Sequence, residues 1–208
     1  MVITYHGASF FKITFGDTTL AFNPIGKASK LKGPKFGADI AFVSLNHPDM
    51  NGAEQVEHSG RQPFVVSGPG EYEISGIFAR GFASTSNYGG EKRINTIYVL
   101  KFEGMKLCFL GGLDTKELPQ EAKELMDDVD ILFVPIGGKG VLEPADAHGL
   151  GVKIEPRIII PMLYDGAKDM LSAYLKEEGQ EGTKPVEKLT LKRKDLDGKS
   201  GEVVVLSA

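Results

Sequence analysis

The chain has 208 residues, 41% hydrophobic and 25% charged, a balance that suits one globular unit with a real core. A net charge of −4 and a pI near 5.6 give no overall attraction to nucleic acid or anionic membrane. The single cysteine, Cys108, excludes an internal disulfide and a cysteine-rich zinc site, and in the run Leu107-Cys108-Phe109-Leu110 it reads as a buried, inert thiol.

In chain order, residues 1–5, 9–15 and 18–22 are β-branched runs, the last two joined by the hairpin pair Gly16-Asp17. Residues 27–35 form a lysine-rich loop after the break at Asn23-Pro24-Ile25-Gly26. Residues 40–45 are a nearly continuous apolar strand, as expected when both faces are covered. Residues 64–67 make a shorter one, and 72–82 and 94–102 longer, alternating antiparallel ones; Glu103-Gly104 turns the chain into a strand over 105–110. The second half alternates. Helices are predicted over 118–126, 144–154 and 166–178, and strands over 130–136, 157–162, 188–192 and 202–206. Hairpins followed by helix–strand alternation predict an α/β (α+β) fold of four layers, an αββα sandwich with two sheets between helices. No repeat, low-complexity segment or linker interrupts residues 1–208, which are expected to form a single domain. No basic and apolar leader opens the chain and no run nears the ~20 apolar residues that span a bilayer, so a cytoplasmic protein without membrane contact is expected.

Several segments, in order, resemble one branch of the metallo-β-lactamase superfamily, the zinc-dependent hydrolases related to ascorbate-6-phosphate lactonase. Ile3-Thr4-Tyr5-His6-Gly7-Ala8-Ser9 is similar to that branch's Ile-Thr-Tyr-Leu-Gly-His-Ser, and Leu20-Ala21-Phe22-Asn23-Pro24 to its Leu-Ile-Asp-Pro. Phe133-Val134-Pro135-Ile136-Gly137-Gly138 matches Leu-Pro-Ile-Gly-Gly, and residues 156–164 resemble Lys-Pro-Lys-Val-Val-Ile-Pro-Met-His-Tyr. The resemblance implies a metallo-β-lactamase-like sandwich.

The metal-binding pattern is mostly missing. Where the family has Thr-His-x-His-x-Asp-His, this chain has Ser44-Leu45-Asn46-His47-Pro48-Asp49-Met50, which keeps one histidine, His47, and Asp49. The third-motif histidine falls at Ala83, the bridging aspartate at Gly112 and the last histidine at Leu163; a two-residue slip would recruit Asp114. Ala8 and Asn23 replace an accessory histidine and aspartate. Zinc needs nitrogen, sulfur or oxygen donors, typically three plus water at a catalytic site, and leucine, alanine and glycine side chains supply none. Methionine sulfur is soft and suits Cu(I) better.

His47, Asp49 and Asp114 are therefore the residual catalytic candidates, with His6, Asn23, Asn46 and Tyr164 expected around the pocket. The bland alternative for His47-Pro48-Asp49 is a polar loop leading into a helix capped by Asn51-Gly52-Ala53-Glu54. His58 and His148 read as solvated surface residues. Lys27, Lys30, Lys32 and Lys35 read as a solvated loop, with anion binding as the sharper alternative, and Lys192-Arg193-Lys194 as a solvated turn. Gly137-Gly138-Lys139-Gly140 lacks P-loop spacing, and no nucleophile elbow is present.

Three functions compete. The first is a non-catalytic or binding homologue without metal, taking a small molecule or protein partner. The second is a metal-dependent hydrolase of an ester, lactone or phosphodiester with a reduced site at His47, Asp49 and Asp114. The third, a nucleic-acid-processing relative, lacks the histidine motif and room for a binding insertion. No metal centre or cofactor is expected, zinc entering only if a reduced site persists. By the resemblance, self-association into a homo-oligomer is expected.

Overall fold

The computed structural model describes residues 1–165 and 168–208, Lys168 by its backbone alone. Two sheets pack face to face. The first has six strands in the order β12-β1-β2-β3-β4-β5: Leu189–Thr190, Val2–Tyr5, Phe11–Phe15, Thr18–Phe22, Ile40–Val43 and Phe64–Ser67. The second has seven in the order β13-β11-β10-β9-β8-β7-β6: Glu202–Val203, Ile158–Met162, Ile131–Pro135, Met105–Phe109, Arg93–Phe102, Ile77–Ser86 and Gly70–Ile74.

Alternation decides which side chains meet between the sheets. Phe11, Ile13, Leu20, Phe22, Ile40 and Phe42 point inward against Tyr98, Phe109 and Phe133. The Phe22 and Phe42 rings stack at 4.7 Å, and Phe11 meets Phe133 edge-on at 4.9 Å. All four residues of β4 are buried, as expected for a strand with parallel neighbours on both sides. The opposite face of the seven-stranded sheet carries Ile97, Cys108, Leu132 and Val134, covered by Leu150 and Tyr174 from helices α2 (Pro144–Ile154) and α3 (Lys168–Glu177). Cys108 is fully buried there, and burial pushes its thiol pKa up to about 12.

Several expectations need correction. The strand predicted over 72–82 is a hairpin: Ser75 and Gly76 take φ of 52° and 78°, a two-residue turn that folds β6 onto β7. The helix predicted over 118–126 shrinks to one turn, α1 (Gln120–Lys123), because Pro119 caps it and the next amides tighten. Leu125 and Met126 bond three residues back, to Ala122 and Lys123. The expected capping box is absent: Ala53–Gln55 is a 3-10 turn whose cap, Gly52, makes no side-chain bond, and Glu54 instead accepts the Lys27 N–H at 3.2 Å. The outer layer on the six-stranded sheet is consequently this turn and the 24–38 loop, where Phe10, Ile25 and Val56 cover Ala21 and Ala41. Residues 166 and 167, the start of the helix predicted over 166–178, lie outside the described residues. No described helix is long and apolar enough to cross a membrane.

Candidate functional site

At one end of the sandwich the chain leaves β3, β4, β7, β9 and β11 in succession, and these exits bring the sequence candidates together. The deep part is neutral. Asn23, 0% exposed, accepts the Ser44 N–H at 2.8 Å and donates to Ser9 Oγ and Ser44 Oγ at 3.0 and 2.8 Å. Asn95, also 0% exposed, accepts the Gly112 N–H at 2.8 Å and donates to Ser84 Oγ and the Leu110 carbonyl at 2.8 and 2.9 Å. The Thr96 N–H donates to the Ser44 carbonyl at 2.8 Å, and Leu45 pairs with Asn95, so the first sheet is joined to the second here. Leu45 and Met50 are buried in the spaces where the family pattern has histidines. A Cβ on Gly112 would stand 2.9 Å from Ser86 Oγ and 3.6 Å from Leu45 Cδ2. Ser86, not Ala83, is therefore what β7 delivers to this point; Ala83 is exposed on the strand.

Closer to solvent, Asp49 is held between two loops. Its Oδ1 accepts Ser29 Oγ at 2.5 Å, and its Oδ2 accepts the Tyr88 hydroxyl at 2.9 Å. The Asp49 N–H donates to His47 Nδ1 at 3.1 Å, which assigns the neutral ring as the Nε2–H tautomer. Asp49 Oδ2 also lies 3.6 Å from Nδ1, but that nitrogen's lone pair is already engaged by the backbone. The outer nitrogen faces Gly89, whose Cβ would lie 3.0 Å from Nε2, and Tyr88 packs edge-on at 4.9 Å. Burial, then the hydrogen bond and charge of Asp49 and the charge of Asp165, raise the Tyr88 pKa.

Of the remaining candidates only Asn46 shares the hollow beside His47. The Asp114 carboxylate accepts the Thr85 hydroxyl at 2.5 Å. His6 packs against Phe10 and Phe36 with Nε2 3.3 Å from Thr4 Oγ1; desolvation and then Lys12 lower its pKa. Asn46 is exposed and accepts from Asn51 at 2.9 Å. Tyr164 donates to the Leu206 carbonyl at 3.1 Å and stacks on Tyr5, and burial pushes its pKa up to about 12. His148, expected at the surface, is half-buried with Nδ1 3.2 Å from Glu178.

The sequence reading missed Ser29, Tyr88, Asn95 and Asp165. Asp165 accepts from the Tyr5 hydroxyl and the Ala8 N–H, each at 2.5 Å, and so ties the turn after β11 to the loop after β1. Nothing near residue 165 in sequence signals partners so far away along the chain. Three turns here are left-handed at non-glycine residues, Ala8, Asn23 and Leu163, with φ of 52°, 46° and 62°. These are positions where the family pattern has polar or ligating residues, and each conformation costs about 1 kcal/mol for a side chain with a Cβ.

A metal centre does not fit these residues. Among the described residues no group of three or more histidine, cysteine or acidic side chains is placed to hold an ion. The Nδ1 lone pair of His47 is engaged by the Asp49 amide, each oxygen of Asp49 already accepts a hydroxyl, and Asp114 is turned to Thr85. The hollow beside His47 is also small, about 190 Å³ between Lys27, Asn46, Asn51 and Glu54. A cavity of about 770 Å³ lies at the other end, among Leu118, Met126, Leu150 and Lys199.

Comparison with known proteins agrees on the scaffold. Residues 2–163 match the model of the beta-lactamase superfamily domain. A UPF0173 metal-dependent hydrolase of Listeria innocua is 24% identical over 196 residues, which cover 79% of this chain and 86% of that protein. A Thermotoga maritima protein described as a Zn-dependent hydrolase of the metallo-β-lactamase superfamily superposes with a TM-score of 0.76 at 25% identity, covering 99% of this chain and 97% of its own. The metallo-β-lactamase-fold protein YhfI of Bacillus subtilis does so with a TM-score of 0.62 at 8% identity, covering 99% and 96%, a likeness of fold alone. With its ordered motifs, two-sheet sandwich and family match, the chain belongs to the metallo-β-lactamase superfamily.

Proposed function

We propose that this protein is a binding member of the superfamily, a non-catalytic homologue of metal-dependent hydrolases. The observation that carries the reading is the bonding of His47: its Nδ1 is occupied by the Asp49 amide, so the one histidine on a ligand position has no lone pair for a metal. The hollow lined by Lys27, Asn46, His47, Asn51 and Glu54 is smaller than the ~300–1,000 Å³ of ordinary small-molecule pockets, which limits any ligand held there to a small one. Residues 1–208 are taken as one cytoplasmic domain, with self-association left to light scattering.

A second reading has its own support. The relatives' names favour a metal-dependent hydrolase, which on this chain would rest on His47, Asp49 and Asp114 and act on an ester, lactone or phosphodiester. Plasma mass spectrometry of protein expressed with zinc supplied separates the two. The binding reading expects far less than one equivalent of any transition metal. One equivalent, with ester hydrolysis that His47→Ala abolishes, would establish the hydrolase instead.

A further inference from the structure

We infer that the two buried carboxamides, Asn23 and Asn95, form a clasp in which each holds the loops of its own sheet at the cleft end, and that this makes the fold complete without a metal ion. The inference rests on the binding reading, since it says what has replaced the metal centre. Each carboxamide satisfies three bonds with neutral partners, Asn23 within the first sheet's exits and Asn95 within the second's. The two units abut on Gly111. A Cβ there would overlap Asn95 Oδ1 and stand 2.6 Å from Ser44 Oγ, the partner of Asn23, so only a glycine, here at φ 62°, lets the halves close.

The chemistry of the amide is what the site requires. Asn95 must accept on one atom and donate twice from the other, which no carboxylate does. An aspartate would set an oxygen against the Leu110 carbonyl and bury a charge whose contacts are all neutral. Serine hydroxyls and amides also form a poor donor set for a transition metal, whose sites in proteins use imidazole, thiolate or carboxylate. The clasp therefore holds the loops of each sheet in place with groups that offer a transition metal no good ligand.

Thermal melting tests this directly. Wild-type protein dialysed against EDTA is expected to melt within about a degree of untreated protein, with or without added zinc chloride. Asn95→Asp is expected to melt roughly 10 °C lower, from about 3 kcal/mol of buried, unpaired charge. That deficit shrinks toward pH 4, where the new carboxyl is protonated, and zinc does not restore it. The inference is overturned if EDTA lowers the wild-type midpoint by more than about 5 °C and zinc restores it, or if Asn95→Asp melts with the wild type. Should Asn95→Asp fail to fold, the wild-type EDTA comparison still decides. A zinc-binding, hydrolytically active protein whose midpoint ignores EDTA would sink the binding reading and leave the clasp standing.

Discussion

At the start of β10, Asp130 is 1% exposed and still carries a carboxylate; at the other end of the same sheet Asn95 is 0% exposed and carries an amide. Arg157 pairs with one oxygen of Asp130, and Arg193 and the Lys106 N–H approach the other at 2.6 and 2.7 Å. Asn95 has only hydroxyl, carbonyl and amide neighbours. A buried anion persists where two guanidiniums close on it, and a neutral amide stands where none is available. The lesson bears on function, because a metal centre needs imidazole, thiolate or carboxylate donors, and among the described residues no fully buried carboxylate lies at the Asn95 end.

Alkaline pH gives the largest test of this contrast, since it forces negative charge onto tyrosines whose partners are carboxylates and carbonyls rather than cations. Burial raises the pKa of Tyr5, Tyr88, Tyr98, Tyr164 and Tyr174 above the ordinary 10. Their contribution is complete below pH 10 and is lost above it, as the unfolded chain ionises while the folded chain cannot. Stability is expected to fall by up to ~1.4 kcal/mol per pH unit for each such tyrosine, enough to unfold the protein by about pH 11–12. A gentle tyrosinate titration at 295 nm, with no cooperative loss of structure, would break the argument.

The next effect concerns the far end. Asp130→Asn leaves Arg157 and Arg193 without their shared carboxylate and is expected to cost about 2 kcal/mol in charge-assisted hydrogen bonds, read by urea denaturation at pH 7. A variant as stable as wild type would mean that the ion pairs contribute nothing and that the two ends do not differ energetically.

Smaller effects sharpen the outer part of the cleft. Tyr88→Phe removes one of the two hydroxyls on Asp49 and should cost about 1 kcal/mol, with faster amide exchange over the 87–90 turn. Unchanged exchange would show that Asp49 does not pin that turn. At the small end, Glu155, the left-handed cap of α2 at φ 51°, should gain about 0.5–1 kcal/mol on Glu155→Gly. A loss would indicate that the carboxylate does more than end the helix.

How much was legible follows the range of the interaction. Helix α2 could be read to its ends, because Pro144 opens it and Pro156 forbids its continuation. The β6–β7 turn was missed because the residues before and after Ser75-Gly76 fit one continuous strand pattern. At the cleft, the loss of donors at Leu45, Met50, Gly112 and Leu163 is written in the residue types. What the surviving groups do is not. His47 accepts from the amide of Asp49, Asp114 accepts from Thr85 on a strand 29 residues earlier, and Asn95 is tied to loops that only the folded sheets bring near. His6 was expected in the pocket, but β1 turns its ring onto Phe10 and Phe36.

The left-handed turns at Ala8, Asn23 and Leu163 bear on the order in which mutations could rebuild a metal site here. Their backbone bends are already in place, so new side chains at 8, 23 and 163 need no rearrangement of the main chain. The steric bottleneck is Ser86, whose hydroxyl would crowd any side chain at 112. A laboratory lineage selected for zinc uptake should therefore trim or turn Ser86 as it accepts an acid at Gly112.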